Sequence, residues 1–123
     1  MKIAQIAQRA NDLTRAIAFY EKLLEQNVAE VYDPPGLAFF DLDGTRLLLE
    51  RGASSALIYL VVGDVRVRTE ELRNRGIRII GEPHVIFQHT DGSLGHTGMD
   101  EWMSFIEDSE GNTVGLVSWT KTL

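Results

Sequence analysis

A chain of 123 residues, 44% apolar and 24% charged, has the composition of one soluble globular unit large enough for a sizeable core. A formal net charge of −6, with no clustered Lys/Arg stripe, excludes the basic face that phosphate-backbone binding needs, so no nucleic acid partner is expected. Zero cysteines exclude disulfides, thiolate catalysis and zinc-thiolate sites, while the start MKIAQIAQRAND is too short and polar for a signal peptide and no run reaches membrane-spanning length, so a cytoplasmic protein with no membrane partner is expected.

The first predicted strand is KIAQIAQ, in which Ile3, Gln5 and Ala7 share one face. In the segment NDLTRAIAFYEKLLEQN, Asn11 or Asp12 can cap a helix whose Leu13, Ala16, Ile17, Tyr20, Leu23 and Leu24 form one apolar stripe, with Asn27 able to close it in the left-handed conformation. VAEVYD, GLAFFDL and TRLLLE then read as three strands divided by the turns Asp33-Pro34-Pro35-Gly36 and Asp43-Gly44, giving a βαβββ pattern. The second half repeats it: SALIYLVVGD as a strand with an acidic cap, VRVRTEELRNRG as a polar helix closed by Gly76, IRIIGE as a strand, and DEWMSFIED with NTVGLVSW as a final hairpin.

The two copies are marked by nearly the same phrase, DLDGTRLLLE at 41–50 and DSEGNTVGLV at 108–117, where Gly and Asn supply positive φ and Asp caps the turn. Asp12 corresponds to Asp64 at an offset of 52 and Gly44 to Gly111 at an offset of 67, so the second copy carries about 15 extra residues, which FQHTDGSLGHTGM accommodates as a loop over about 87–100. The expected fold is α+β, a single domain over 1–123 with one module over about 1–52 and another over about 53–123. Modules this small pair their sheets into one curved, mostly antiparallel structure with a concave cleft.

NDLTRAIAFYEKLL, GDVRVRTEELRNRGIRIIGEP and FIEDSEGNTVGLV together resemble the signatures of the vicinal oxygen chelate superfamily, the glyoxalase, bleomycin-resistance and extradiol dioxygenase group. PPGLAFFDLDGTRLLLE and EPHVIF with EWMSFIEDSEGN are similar to its small single-chain glyoxalase-like or methylmalonyl-CoA-epimerase-like members. The resemblance implies a small-molecule ligand, a homodimer and, in catalytic members, a divalent metal held by His, Gln or Glu on four strands. Carried over by spacing, those positions are Gln5, Leu57, Leu48 and Gly115, of which only Gln5 has a donor atom. A register two residues on would bring in Glu50, with Tyr59 and Val117 beside it, which is still too few ligands. No metal and no other cofactor are therefore expected, and mechanisms that use the ion to stabilise an enediolate or bind oxygen lose their support.

Alternation places Gln5, Ala7, Leu48 and Glu50 of the first copy, and Tyr59, Met103, Phe105, Val117 and Trp119 of the second, on the face of the lost metal positions, with Glu101 at the loop end; Phe40 is assigned to the same lining. Such a mixture suits a pocket for an apolar or aromatic ligand, and it also suits a filled core. Glu50 and His84 are the candidate proton-transfer residues: Glu50 ends an apolar run, and His84 follows Glu82-Pro83 at a strand end, although each also reads as an ordinary surface residue. His84, His89 and His96, beside Asp91 and Asp100, are separated by five and seven residues, which is not the spacing of a metal pair on a regular element. Glu101 is expected to face the pocket and Trp102 a helix or subunit contact, while Glu70, Glu71, Glu107, Asp108 and Glu110 read as solvated surface. The expected function is metal-independent small-molecule binding. An isomerase or lyase acting next to a carbonyl and an antibiotic-sequestering protein are the alternatives.

Overall fold

The computed structural model describes every residue from Met1 to Leu123. The elements run β1 (Gln5–Arg9), α1 (Leu13–Leu24), β2 (Glu30–Tyr32), β3 (Leu37–Leu42), β4 (Thr45–Glu50), β5 (Ile58–Val61), α2 (Val65–Asn74), β6 (Ile79–Gln88), β7 (Met99–Glu107) and β8 (Thr113–Lys121). They form two four-stranded mixed sheets, ordered β1-β4-β3-β2 and β5-β8-β7-β6, an open α+β fold of two βαβββ modules. Two compact units result: residues 1–56 with 108–112, and residues 57–107 with 113–123.

In the first unit, Asp43 and Gly44 both take positive φ, 52° and 93°, the conformation a two-residue hairpin needs, and so fix the register that sets Phe39 opposite Leu48 and Phe40 opposite Leu47. β1 adds to β4 in parallel, with Ala7 opposite Leu48. One face of this sheet carries the buried side chains Ala38, Phe40, Leu47 and Leu49, and α1 supplies Ala16, Tyr20 and Leu23 to the core, Tyr20 and Phe40 lying 6.4 Å apart between ring centroids. Each large side chain buried this way contributes about 1.5–3 kcal/mol. Asp12 is the N-cap, its carboxylate accepting from Arg15 N at 3.0 Å. The left-handed residue that ends the helix is Glu25, at φ 55°, rather than Asn27. The helix closes earlier because Glu21 holds the departing chain, its carbonyl accepting from Gln26 N at 3.2 Å and its carboxylate from Val28 N at 3.0 Å.

Asp108 and Glu110 are not solvated surface, contrary to the expectation from their charge. Asp108 is 5% exposed and Glu110 8% exposed. Asp108 Oδ1 accepts from the N–H groups of Glu110 and Asn112, and its Oδ2 accepts from Tyr20 Oη at 2.6 Å and Asn112 Nδ2 at 2.9 Å. Glu110 accepts from Asp12 N at 2.7 Å and from Arg15 Nε at 2.7 Å, and Asn112 Nδ2 donates to Arg9 O at 2.8 Å. Every charge taken from water thus meets donors, the condition under which a carboxylate tolerates burial. Burial works most strongly against the Glu110 carboxylate, yet the donors Arg15, Asp12 N–H and Ser109, with the Arg15 charge, outweigh it and hold the carboxyl below its usual range. Burial first, and then the Asp108 charge, push the Tyr20 phenol far above its ordinary value.

In the second unit, β5 runs parallel to β8, and β8 is followed by β7 and β6 in antiparallel order. Asp64 caps α2 through Arg66 N and Val67 N, and Gly76, at φ 82°, follows its end. The buried α2 residues Val65, Thr69 and Leu72 face a layer containing Ser104 and Ser118: Val65 N donates to Ser118 Oγ at 2.9 Å, and the Thr69 and Ser104 hydroxyls share a 2.8 Å hydrogen bond. The connection from β6 to β7 spans residues 89–98, narrower than the 87–100 expected, because Phe87 and Gln88 stay paired with Glu101 and Asp100. The extra residues of the second copy thus lengthen a β-hairpin as well as form a loop. Neither helix is long and apolar enough to cross a membrane.

Candidate functional site

Each sheet has a second face away from its helix. In the first unit, register places Gln5 and Ala7 of β1, Arg46, Leu48 and Glu50 of β4, Leu37, Phe39 and Asp41 of β3, and Glu30 and Tyr32 of β2 on that face. A pocket of ≈ 510 Å³ opens there, bordered by Gln5, Glu30, Tyr32, Phe39, Asp41 and Arg46 among others. Tyr32 and Phe39 meet edge to face, their centroids 6.1 Å apart, and form an aromatic wall. Gln5 Oε1 accepts from Arg46 Nε at 3.0 Å.

Of the residues singled out from sequence, Gln5, Leu48 and Glu50 share this face. Leu48 is only 7% exposed between Ala7 and Phe39, and Glu50 is half-buried at the strand end, its carbonyl accepting from Ala10 N at 3.1 Å. Phe40 borders the pocket, but it belongs to the opposite, helix-covered face and is wholly buried. Phe39 is the phenylalanine that shares a face with Leu48. The two-residue Asp43-Gly44 turn already dictates this, because it pairs position 39 with 48 and 40 with 47. The same counting places Asp41 opposite Arg46, so both were findable in the sequence.

In the second unit the corresponding face carries Tyr59, Gly115 and Phe105 in one row, Val117 and Met103 in the next, and Trp119 and Glu101 in a third. Tyr59 and Phe105 stand edge to face, centroids 6.1 Å apart, over Gly115. A Cβ at residue 115 would lie 2.6 Å from Tyr59 Cδ1 and 2.9 Å from its Cε1, so an aromatic ring takes the space a side chain would need. Further along, Glu101 Oε1 accepts from Trp119 Nε1 at 3.0 Å and lies 2.8 Å from His89 Nε2. His89 is 3% exposed. His96, exposed on the loop, stacks on Trp119 with centroids 3.8 Å apart and planes 9° apart. Trp102 points the other way, with the Arg66 guanidinium 4.5 Å above its ring and its Nε1 donating to Thr120 Oγ1 at 2.9 Å. His84, exposed, stands opposite Met103 in an irregular stretch of β6, its Nδ1 lying 2.9 Å from the Glu82 carbonyl oxygen.

Tyr59, Met103, Phe105, Trp119 and Glu101 are thus brought onto one face of one sheet. The engagement of His89 and His96 with them was not readable from spacing, since it depends on a loop folding back onto a strand. The four positions at which the resembled family holds its metal do not fit one. Leu48 and Leu57 offer no donor atom, Gly115 is covered by Tyr59, and the single donor, Gln5 Oε1, already accepts from a guanidinium, whose positive charge disfavours a second cation.

No match was found among curated proteins. Solved structures share the fold at low identity. An antibiotic-binding protein, TnmS3, from Streptomyces sp. CB03234 is 16% identical with a TM-score of 0.71 over 94% of this chain and 93% of its own. A lactoylglutathione lyase from Agrobacterium tumefaciens is 22% identical, TM-score 0.66, over 94% and 92%. A glyoxalase/bleomycin resistance protein/dioxygenase from Alicyclobacillus acidocaldarius is 19% identical, TM-score 0.63, over 94% and 89%. With the repeat, the turn chemistry and the sheet order, the match of residues 2–116 to the family model settles membership: the chain belongs to the Glyoxalase/Bleomycin resistance protein/Dioxygenase superfamily.

Proposed function

We propose that this member of the superfamily is a metal-independent small-molecule-binding protein whose ligand is apolar or aromatic. The observation that carries the reading is the character of the two helix-free faces: aromatic and apolar side chains stand where metal donors would be needed, with sparse polar groups such as Gln5 and Arg46, or Glu101, to orient a ligand. Antibiotic sequestration is a specific form of the same reading. The fold shared with an antibiotic-binding protein and the net charge of −6, which favours cationic ligands, support it. Association into a homodimer is part of the proposal and rests on the family resemblance.

Saturation binding of a panel of apolar and aromatic acids and amines, in excess EDTA, tests this directly. At least one class should bind saturably with an affinity that EDTA does not change, and Phe39→Ala or Arg46→Ala should weaken a ligand seated in the first unit by about tenfold. A requirement for added zinc, nickel or iron, or no saturable binding anywhere in the panel, would sink the proposal. Solvent-deuterium incorporation into carbonyl metabolites that is lost in Glu50→Gln or His84→Ala would move the function to an isomerase or lyase.

A further inference from the structure

In the connection of residues 89–98, His96 folds back onto Trp119 of β8. His96 adopts φ 55°, a left-handed conformation uncommon for a residue with a side chain, between Gly95 at φ 75° and Gly98 at φ 78°. From there its imidazole lies flat on Trp119, 3.8 Å between centroids and 9° from parallel. Beneath the loop, the buried His89 and the Trp119 indole N–H both address Glu101 Oε1. These contacts fix the carboxylate and leave Oε2 outside both hydrogen bonds. The loop ends are held independently of the stack: Gly98 N donates to His89 O at 2.7 Å, His89 N to Met99 O at 2.9 Å, and Thr122 N to Gly98 O at 3.0 Å. The His96 carbonyl is itself tied to Met99 N at 3.0 Å, so the imidazole can leave Trp119 by side-chain rotation with the backbone in place.

We propose that Trp119 and Glu101 form a subsite for a planar nitrogen heteroaromatic ring carrying an N–H donor, and that the chain's own His96 fills this subsite as a displaceable stand-in. The imidazole shows that the indole face accepts a flat, nitrogen-containing ring, and the Glu101 carboxylate, held at the N–H of the same indole, supplies a nearby acceptor. A ligand ring takes the stack while its N–H donates to Glu101, and the net charge of −6 disfavours anionic rings. This rests on the reading of the helix-free face of the second unit as ligand-facing, and narrows it to a ligand class.

Benzimidazole is the probe, in a Trp102→Phe background that leaves Trp119 as the sole tryptophan of the two. It should quench Trp119 fluorescence saturably. His96→Gly and His96→Asn, which both keep the left-handed backbone accessible, should bind it about two- to tenfold more tightly, the loss of one competing aromatic stack. Glu101→Gln should weaken it, and naphthalene, which lacks the N–H, should bind less well than benzimidazole. Unchanged or weaker affinity in both His96 variants, equal binding of naphthalene, or no saturable quenching overturns the subsite. Binding seen by NMR shifts at Tyr32 and Phe39, with Trp119 silent, also overturns it while leaving the broader small-molecule reading intact. That reading falls only if the whole ligand panel fails to bind.

Discussion

The two closing turns of the repeat begin with nearly the same words, DLDG and DSEG, and end in opposite environments. Asp41 and Asp108 both stand three residues before a glycine of positive φ. Asp41 is exposed, and its Oδ1 accepts from Gly44 N at 2.9 Å. Asp108 is buried and accepts from Glu110 N, Asn112 N, Asn112 Nδ2 and Tyr20 Oη. The glycine and the aspartate specify the backbone of a turn, which is local, whereas the surroundings are set by what the neighbouring positions reach. In the second copy Glu110 and Asn112 reach Asp12, Arg15 and Arg9, and so the turn becomes part of the first unit's core. The helix-free faces differ in the same way: the first leaves room beside Gln5 and Arg46, while in the second Tyr59 lies over Gly115 and His96 over Trp119.

Breaking the turn comparison at its strongest point should give the largest effect. Asp108→Ala strips Tyr20 Oη and two backbone N–H groups of their acceptor in a buried site, and should cost about 3 kcal/mol or more in urea denaturation. Asp41→Ala, which removes a single exposed bond, should cost less than about 1 kcal/mol. Equal losses in the two variants would mean that the burial difference carries no energy.

A smaller effect concerns acid. The Glu110 carboxyl is held below its usual range in the folded chain, so it binds a proton less readily folded than unfolded. Its contribution is therefore present above the unfolded value of about 4.3 and is lost as pH falls through the folded value. Stability measured from pH 7 downward should decline in that window, with a shallower decline in Glu110→Gln. Identical slopes in the two proteins would count against the ion pair and the N–H bonds as the source of the shift.

These contrasts also show how far residues alone could lead. Helices and strands were legible because periodicity is local; the first cap was narrowed to Asn11 or Asp12, of which the structure uses Asp12, Asp64 was marked as the acidic end of its strand and by its match to Asp12, and the duplicated turn phrase exposed the two-module order. Phe40, assigned to the lining from sequence, does border the pocket, and counting outward from the two-residue turn at Asp43-Gly44 adds Phe39, Asp41 and Arg46 on the face of Leu48. The burial of Asp108 and Glu110 and the stack of His96 on Trp119 lay beyond local pattern, since each joins residues far apart in the chain through a side-chain contact. Acidic residues in a Gly-Asn turn look the same on paper whether they meet water or an arginine.

Whether this chain binds its ligand without a metal is tested most directly by native mass spectrometry of protein purified without added ions, before and after incubation with zinc. The expected spectrum shows no stoichiometric metal in either sample and an organic adduct when a ligand from the aromatic panel is supplied. A stoichiometric zinc, nickel or iron adduct that survives desalting would contradict the account.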